Sequence, residues 1–141
     1  MLRITVGKGG EDYLRIQDAV NAVPYDTPAE IVISGGVYHE KIFSDKADLS
    51  IRGSGDVYII NSDSALETME RGEKRGTFRS YTAFFGGGRL RLSGITIANG
   101  AGSGRLAGQA VALYLDAARA ELEDVTILSH QDTLFLSPLP D

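Results

Sequence analysis

The stretch Leu90–Asn99, LRLSGITIAN, returns further along the chain as Ala120–Ser129, AELEDVTILS. Leu92 matches Leu122, Ile95 matches Val125, and Thr96-Ile97 matches Thr126-Ile127. Short strands recurring at a fixed period suggest a solenoid, whose stacked coils share one core. Val, Ile, Thr and Leu suit that role, because side chains pointing inward from each coil must pack on those above and below. An ordinary β-sandwich of short strands accounts for two matching decamers equally well, and the repeat alone leaves both architectures open.

Outward from the repeat, nearly everything reads as short strands between turn residues. The candidates are Ile4–Val6, Ile31–Ser34, Lys41–Phe43, Leu49–Arg52, Val57–Ile60, Thr82–Phe85, Leu90–Leu92, Ile95–Ile97, Ala110–Leu115, Ala120–Leu122, Val125–Leu128 and Thr133–Leu136. One segment, YLRIQDAVNAVP, reads as a helix. Its apolar residues Leu14, Ile16, Ala19, Val20 and Val23 share a face imperfectly, and Pro24 stops it. The 17 glycines agree with a turn-rich fold. Two longer connections interrupt the strands. NSDSALETMERGEKRG contains the charged run Glu67–Gly76, read as a solvated loop, and NGAGSGRLAG is rich in glycine.

A length of 141 residues fits one domain with one core. With 43% hydrophobic and 23% charged residues, the chain reads as globular rather than disordered. Its net charge of −5 argues against nucleic-acid and anionic-membrane partners, which reward basic patches. The absence of cysteine excludes a disulfide framework and thiolate chemistry. No apolar run reaches membrane-spanning length. The N-terminus, MLRITVGKGGEDY, has no hydrophobic core of a secretory signal. The expectation is a cytoplasmic protein, or a secreted one whose signal has been removed.

Two glutamines draw attention as a pair. Gln109 opens GQAVALYLD, and Gln131 lies in HQDTLFL. Coils as long as the interval between them would place the two on adjacent coils at one angular position. Their amide NH2 groups could then point at one oxygen, as in an oxyanion hole, where a donor is worth about 2.7–4 kcal/mol in a transition state. Asp132 follows directly. Partial burial or a like-charged neighbour would raise its pKa and suit it to general acid and base work. This chemistry fits ester hydrolysis but still needs a nucleophile. Each residue also has a plainer role: Gln109 bonding backbone at a coil corner, Asp132 capping a turn.

GVYHEKI, GQAVAL and QDTLF, taken together, resemble the pectin methylesterase (pectinesterase) family, carbohydrate esterases that remove methyl groups from polygalacturonate. The helix IQDAVNAVP and the stretch GGVYHEKI look like that family's N-terminal cap and first coils. The motifs keep their order and spacing across nearly the whole chain. The resemblance implies an all-β fold, a right-handed parallel β-helix with a short N-terminal capping helix and a carbohydrate cleft along one side. Residues 1–141 would be the N-terminal part of one such domain, with the C-terminal coils missing. Carried over by motif, Gln109 and Gln131 are the amides that stabilise the tetrahedral intermediate. Asp132 is the aspartate that protonates the methanol leaving group and then activates water. Thr77, in GTFRS, aligns with a substrate-contacting threonine, or is simply a strand-entry hydroxyl. Phe135 lies where the family places an aromatic beside the sugar.

The departure is as informative. The family's nucleophile is a second aspartate in a motif resembling D-F-I-F-G, followed by an arginine and tryptophan in one resembling G-R-P-W. Neither motif occurs in these 141 residues. Covalent catalysis needs a carboxylate within bonding reach of the ester carbon. Asp116 and Asp124 could stand in by type, but both read as turn residues. Tyr38 and Glu40 read as structural, Tyr38 packing the first coil and Glu40 pairing with a nearby Lys or Arg. His39 and His130 read as surface residues. Asp45, Asp48, Asp56 and Asp63 show no calcium-loop spacing. The sequence therefore expects a truncated, inactive portion of a pectin esterase that acts on pectin or a methylated oligogalacturonide. The alternative is a non-catalytic carbohydrate-binding β-helix, with a polysaccharide lyase last. No metal or other cofactor is implied. The parent protein is expected to be a monomer, and the portion alone to self-associate through its uncapped end.

Overall fold

The computed structural model describes residues 1–61, 81–99 and 111–128, and the backbone of Leu134–Leu136. The elements are β1 (Leu2–Val6), α1 (Ile16–Ala22), β2 (Ala29–His39), β3 (Ile42–Ser44), β4 (Asp48–Asn61), β5 (Tyr81–Asn99), β6 (Val111–Leu128) and β7 (Leu134–Leu136). All named strand pairings are parallel, in the order β1-β2-β4-β5-β6-β7, with β3 joined to β5. The sheet curls into coils. The fold is the expected right-handed parallel β-helix with a short helix at its N-terminal end.

Three faces make up each coil. The first is built from β3, Thr82–Phe85 of β5, Ala112–Leu115 of β6, and β7. The second takes β1 and the early parts of β2 and β4, then Arg89–Ser93 and Arg119–Glu123. The third takes the late parts of β2, β4, β5 and β6. Inward residues stack in register from coil to coil. On the second face the stack is Ile4, Ile31, Ile51, Leu92 and Leu122. On the third, Val57, Ile95 and Val125 stack beside Ile59, Ile97 and Ile127. Ile31, Ile33, Ile42, Ile97 and Leu113 are wholly buried, each worth about 1.5–3 kcal/mol over an exposed position.

The repeat found in the sequence is the register itself. Leu92 pairs with Leu122, Ile95 with Val125, Thr96 with Thr126 and Ile97 with Ile127. This decides against the sandwich, because the two decamers are parallel neighbours in one curled sheet. The strands differ from the expectation in one respect. Leu49–Arg52 and Val57–Ile60 are parts of one strand, as are the three segments expected in 82–97 and the three in 110–128. The reason is that interstrand pairing continues round the corners: Gly86 and Gly87 pair with Asp116 and Ala117 inside the β5–β6 ladder.

Corner geometry explains specific residues. A Cβ at Gly53 would collide with the Gly94 carbonyl on the next coil, so the two backbones approach as only glycine permits. Gly94 has φ 65°, and one coil on Asp124 repeats that left-handed turn with φ 54°. Asp tolerates this region better than most residues. Asp124 is therefore a corner residue, in line with its expected turn role.

The helix closes the N-terminal end. Ile16, Ala19 and Val20 are buried, whereas Leu14 is 66% exposed and accounts for the imperfect apolar face. The first-turn N–H groups of Ile16 and Gln17 donate to Glu40 Oε2 and Oε1 at 2.8 and 3.0 Å. Glu40, itself buried, thus caps α1 from a distant point in the chain, favoured by the partial positive charge at a helix start. Its expected basic partner is Arg15, at 3.9 Å. Arg15 is largely exposed, so this pair adds little beyond the cap. Tyr38 is also structural: it is buried and its hydroxyl donates to the Ser34 carbonyl at 2.7 Å. Burial, then the charges of Glu11 and Glu40, push its pKa above the usual tyrosine value. His39 is exposed at the end of β2.

Candidate active site

The described parts of GQAVALYLD and HQDTLFL, residues 111–115 and Leu134–Leu136, lie on the first face. In chain order β6 begins just after Gln109, and β7 begins just after Asp132. Gln109, Gln131, Asp132 and Thr77 themselves lie outside the described residues, as do the charged run 67–76 and His130. Phe135 is described through its backbone, which pairs with Tyr114. The ladder also pairs Leu113 with Leu134, a step almost equal to that from Gln109 to Gln131.

Alternation builds this face. Ile42, Ala83 and Leu113 point into the core in register, as do Ser44, Phe85 and Leu115. The residues between them point outward: Phe43, Phe84 and Tyr114. Their rings stack. The Phe43 and Phe84 centroids are 5.1 Å apart at 11°, and Phe84 and Tyr114 are 4.8 Å apart at 28°. Coil-to-coil spacing in a parallel sheet, about 4.8 Å, is also the separation at which offset aromatic rings pack.

Two braces hold the face. Thr82, fully buried, donates its hydroxyl to the Ala98 carbonyl at 2.7 Å and ties the start of β5 to its end. At the other edge, Gln17 of α1 pairs with β3. Its Nε2 donates to the Phe43 carbonyl, and its Oε1 accepts from the Phe43 N–H. Neither the Gln17 brace nor the aromatic row is anticipated by the sequence patterns. The row becomes visible once register is known, because Phe43, Phe84, Tyr114 and Phe135 occupy one position on four successive strands.

The other faces offer less. The outside of the second face is charged. Arg3 and Arg52 flank Glu30 at 3.2 and 3.7 Å, and Arg91 pairs with Glu121 at 3.2 Å. These exposed pairs make a solvated face worth little to stability. A cavity of about 510 Å3 lies at the corner between the second and third faces, lined by Gly53, Asp56, Gly94 and Asp124 among others. Its lining residues Val57 and Tyr58 pair with Gly36 and Val37 of the GGVYHEKI stretch. Among the described residues no group of His, Cys, Asp or Glu is placed to hold a metal ion. No helix among them is long and apolar enough to cross a membrane.

Comparison with known proteins covers the whole of this arrangement. The family model described as Pectinesterase matches residues 3–138. Pectinesterase QRT1 of Arabidopsis thaliana is 33% identical over 140 residues, 90% of this chain and 36% of that protein. Pectinesterase A of Dickeya dadantii is 30% identical over 145 residues, 91% of this chain and 40% of that protein. Among solved structures, a pectin methylesterase in complex with a hexasaccharide superposes with a TM-score of 0.88 at 27% identity. That match covers 96% of this chain and 46% of the other. The chain thus spans less than half the length of the relatives it matches.

Proposed function

This chain belongs to the pectinesterase family, and we propose that it supplies the N-terminal coils and half of the catalytic groups of an esterase that removes methyl groups from pectin. The carrying observation is the family match over residues 3–138, which takes in every motif singled out in the sequence. In this proposal Gln109 and Gln131 donate to the oxyanion that forms as the ester carbonyl is attacked. Asp132, protonated, gives its proton to the departing methoxide, which leaves as methanol. As a carboxylate it then takes a proton from the water that hydrolyses the acyl-enzyme. Thr77 and Phe135 contact the sugar chain. The attacking carboxylate belongs to a D-F-I-F-G-type motif that these 141 residues do not contain. The chain alone is therefore expected to bind pectin without cleaving its esters.

A chimera tests this. Joining this chain to the remaining C-terminal portion of Dickeya dadantii Pectinesterase A, of which this chain matches 40%, is expected from the family resemblance to supply the missing motif. Methanol release from methylated pectin is expected from the chimera and not from the isolated chain. Asp132→Asn in the chimera should abolish it, and Gln131→Ala should lower kcat by about 10²–10³. A chimera that folds and stays active with Asn at position 132 would overturn the acid–base assignment. Methanol release by the isolated chain would overturn the assignment of the nucleophile.

A further inference from the structure

The aromatic row on the first face runs past the motifs. It continues from Tyr114 through Phe84 to Phe43, two strands toward the N-terminal end. Exposure rises along it: Tyr114 is 5% exposed, Phe84 is half-buried, and Phe43 is 47% exposed. The core does not need Phe43. Ile42 and Ser44 on either side are the buried residues of β3. A large apolar ring left open beside a sheet edge is an association hazard and is ordinarily replaced by a charge. The second face follows that rule, with Arg3, Glu30, Arg52, Arg91 and Glu121 on its outside. The first face breaks it with aromatic residues.

We propose that Phe43 and Phe84 form a sugar-binding platform that holds methyl-esterified galacturonate units of the pectin chain beyond the reacting one and disfavours free galacturonate. The inference rests on the proposed function. Its support is the unbroken stack that joins these rings to Tyr114 and, in register, to Phe135. A pyranose chair presents a face of C–H groups, which packs on a flat aromatic ring as another apolar surface would. A carboxylate brought beside uncharged rings loses hydration with nothing in return. A methyl ester has no charge and adds an apolar carbon to the contact. The platform thus selects for esterified neighbours around the residue to be hydrolysed.

The chain contains no tryptophan, so Phe43→Trp makes a single fluorescent reporter at the platform. Titration with a methyl-esterified oligogalacturonide should shift its emission saturably. The de-esterified oligomer of equal length should shift it only at higher concentration. Phe43→Leu keeps an apolar side chain but removes the ring, and should weaken binding of the esterified oligomer about three- to tenfold. Unmoved emission from a Phe43→Trp chain that still binds in a pectin affinity gel would overturn the platform and leave the proposed function standing. So would wild-type affinity in Phe43→Leu. A wild-type chain that binds no esterified pectin would sink both.

Discussion

The side-chain amide of Gln17 takes the place of a neighbouring strand beside Phe43, donating to its carbonyl at 3.0 Å and accepting from its N–H at 2.7 Å. A strand edge exposes unpaired backbone groups, and β3 is short and lies at the end of its face. One primary amide has a donor and an acceptor spaced like those of a peptide, so it can close both groups at once. Gln17→Ala should cost about 1–2 kcal/mol, as two net hydrogen bonds are lost. The check is a lower denaturant midpoint at unchanged slope. An unaltered midpoint would mean that water serves Phe43 equally well.

Leu92 and Leu122 occupy the same register position on successive coils, yet Leu92 is 1% exposed and Leu122 41%. Leu92→Ala should cost about 2–5 kcal/mol, the range for a truncation that leaves a buried cavity. Leu122→Ala should stay within about 0.5 kcal/mol, as for an ordinary surface site. Equal costs at the two positions would contradict this difference in burial.

The same exposure predicts that the isolated 141-residue chain self-associates. Leu122 and Leu128, at 41% and 46% exposed, lie on the outermost described stretch of β6. Sedimentation should show mass rising with concentration, and Leu122→Glu should move the equilibrium toward monomer. A wild-type chain that remains monomeric from the lowest to the highest concentration tested would defeat the prediction.

Asp124 and Gly94 make the same corner on adjacent coils with φ of 54° and 65°. Asp124→Gly removes the left-handed penalty of an L side chain, about 1–2 kcal/mol at most residues and less for Asp, while adding chain entropy to the unfolded state. The expected net is a gain of about 0.5 kcal/mol. Gly94→Ala should destabilise, because its added Cβ meets both the strained φ and the Gly53 carbonyl at 3.2 Å. A loss of stability in Asp124→Gly would mean that the carboxylate does more than turn the chain.

Tyr38 makes stability fall at alkaline pH. Its pKa is raised in the fold, first by burial and then by Glu11 and Glu40. The stability it contributes is therefore full below the unfolded value of 10.0 and is lost as pH rises through the folded value. Tyr38→Phe should be less stable at neutral pH by about 1 kcal/mol, for the lost bond to Ser34. The gap to wild type should narrow once pH exceeds the unfolded value. A gap that stays constant through that range would rule out this coupling.

Much of the fold is legible in the sequence because coil stacking imposes register on residue type. Leu92, Ile95 and Ile97 announce their partners Leu122, Val125 and Ile127 on the next coil. What is hidden depends on contacts that no spacing encodes. Glu40 capping Ile16 and Gln17 closing Phe43 join residues far apart in sequence; the sequence marks Glu40 only as a structural partner for a basic residue and gives Gln17 no signal. The continuous strands are hidden because glycine signals a break, while here it lets the ladder turn a corner. The aromatic row is hidden because the interval from Phe43 to Phe84 differs from that between Phe84 and Tyr114, so no single period marks it. Gln109, Gln131 and Asp132 are read from motif resemblance alone and lie outside the described residues.

Those unequal intervals carry a consequence for how the molecule can change. On the second face Leu2, Ala29, Leu49, Leu90 and Ala120 stand in one register column, although the chain between successive members varies widely in length. Each coil closes on the same stack. The column is kept whatever the length of chain between its members. Doubling a flexible connection adds only about 0.6 kcal/mol of closure entropy. The β-helix thus works as a fixed spool: chain of varied length can be inserted between its strands without any repacking of the core.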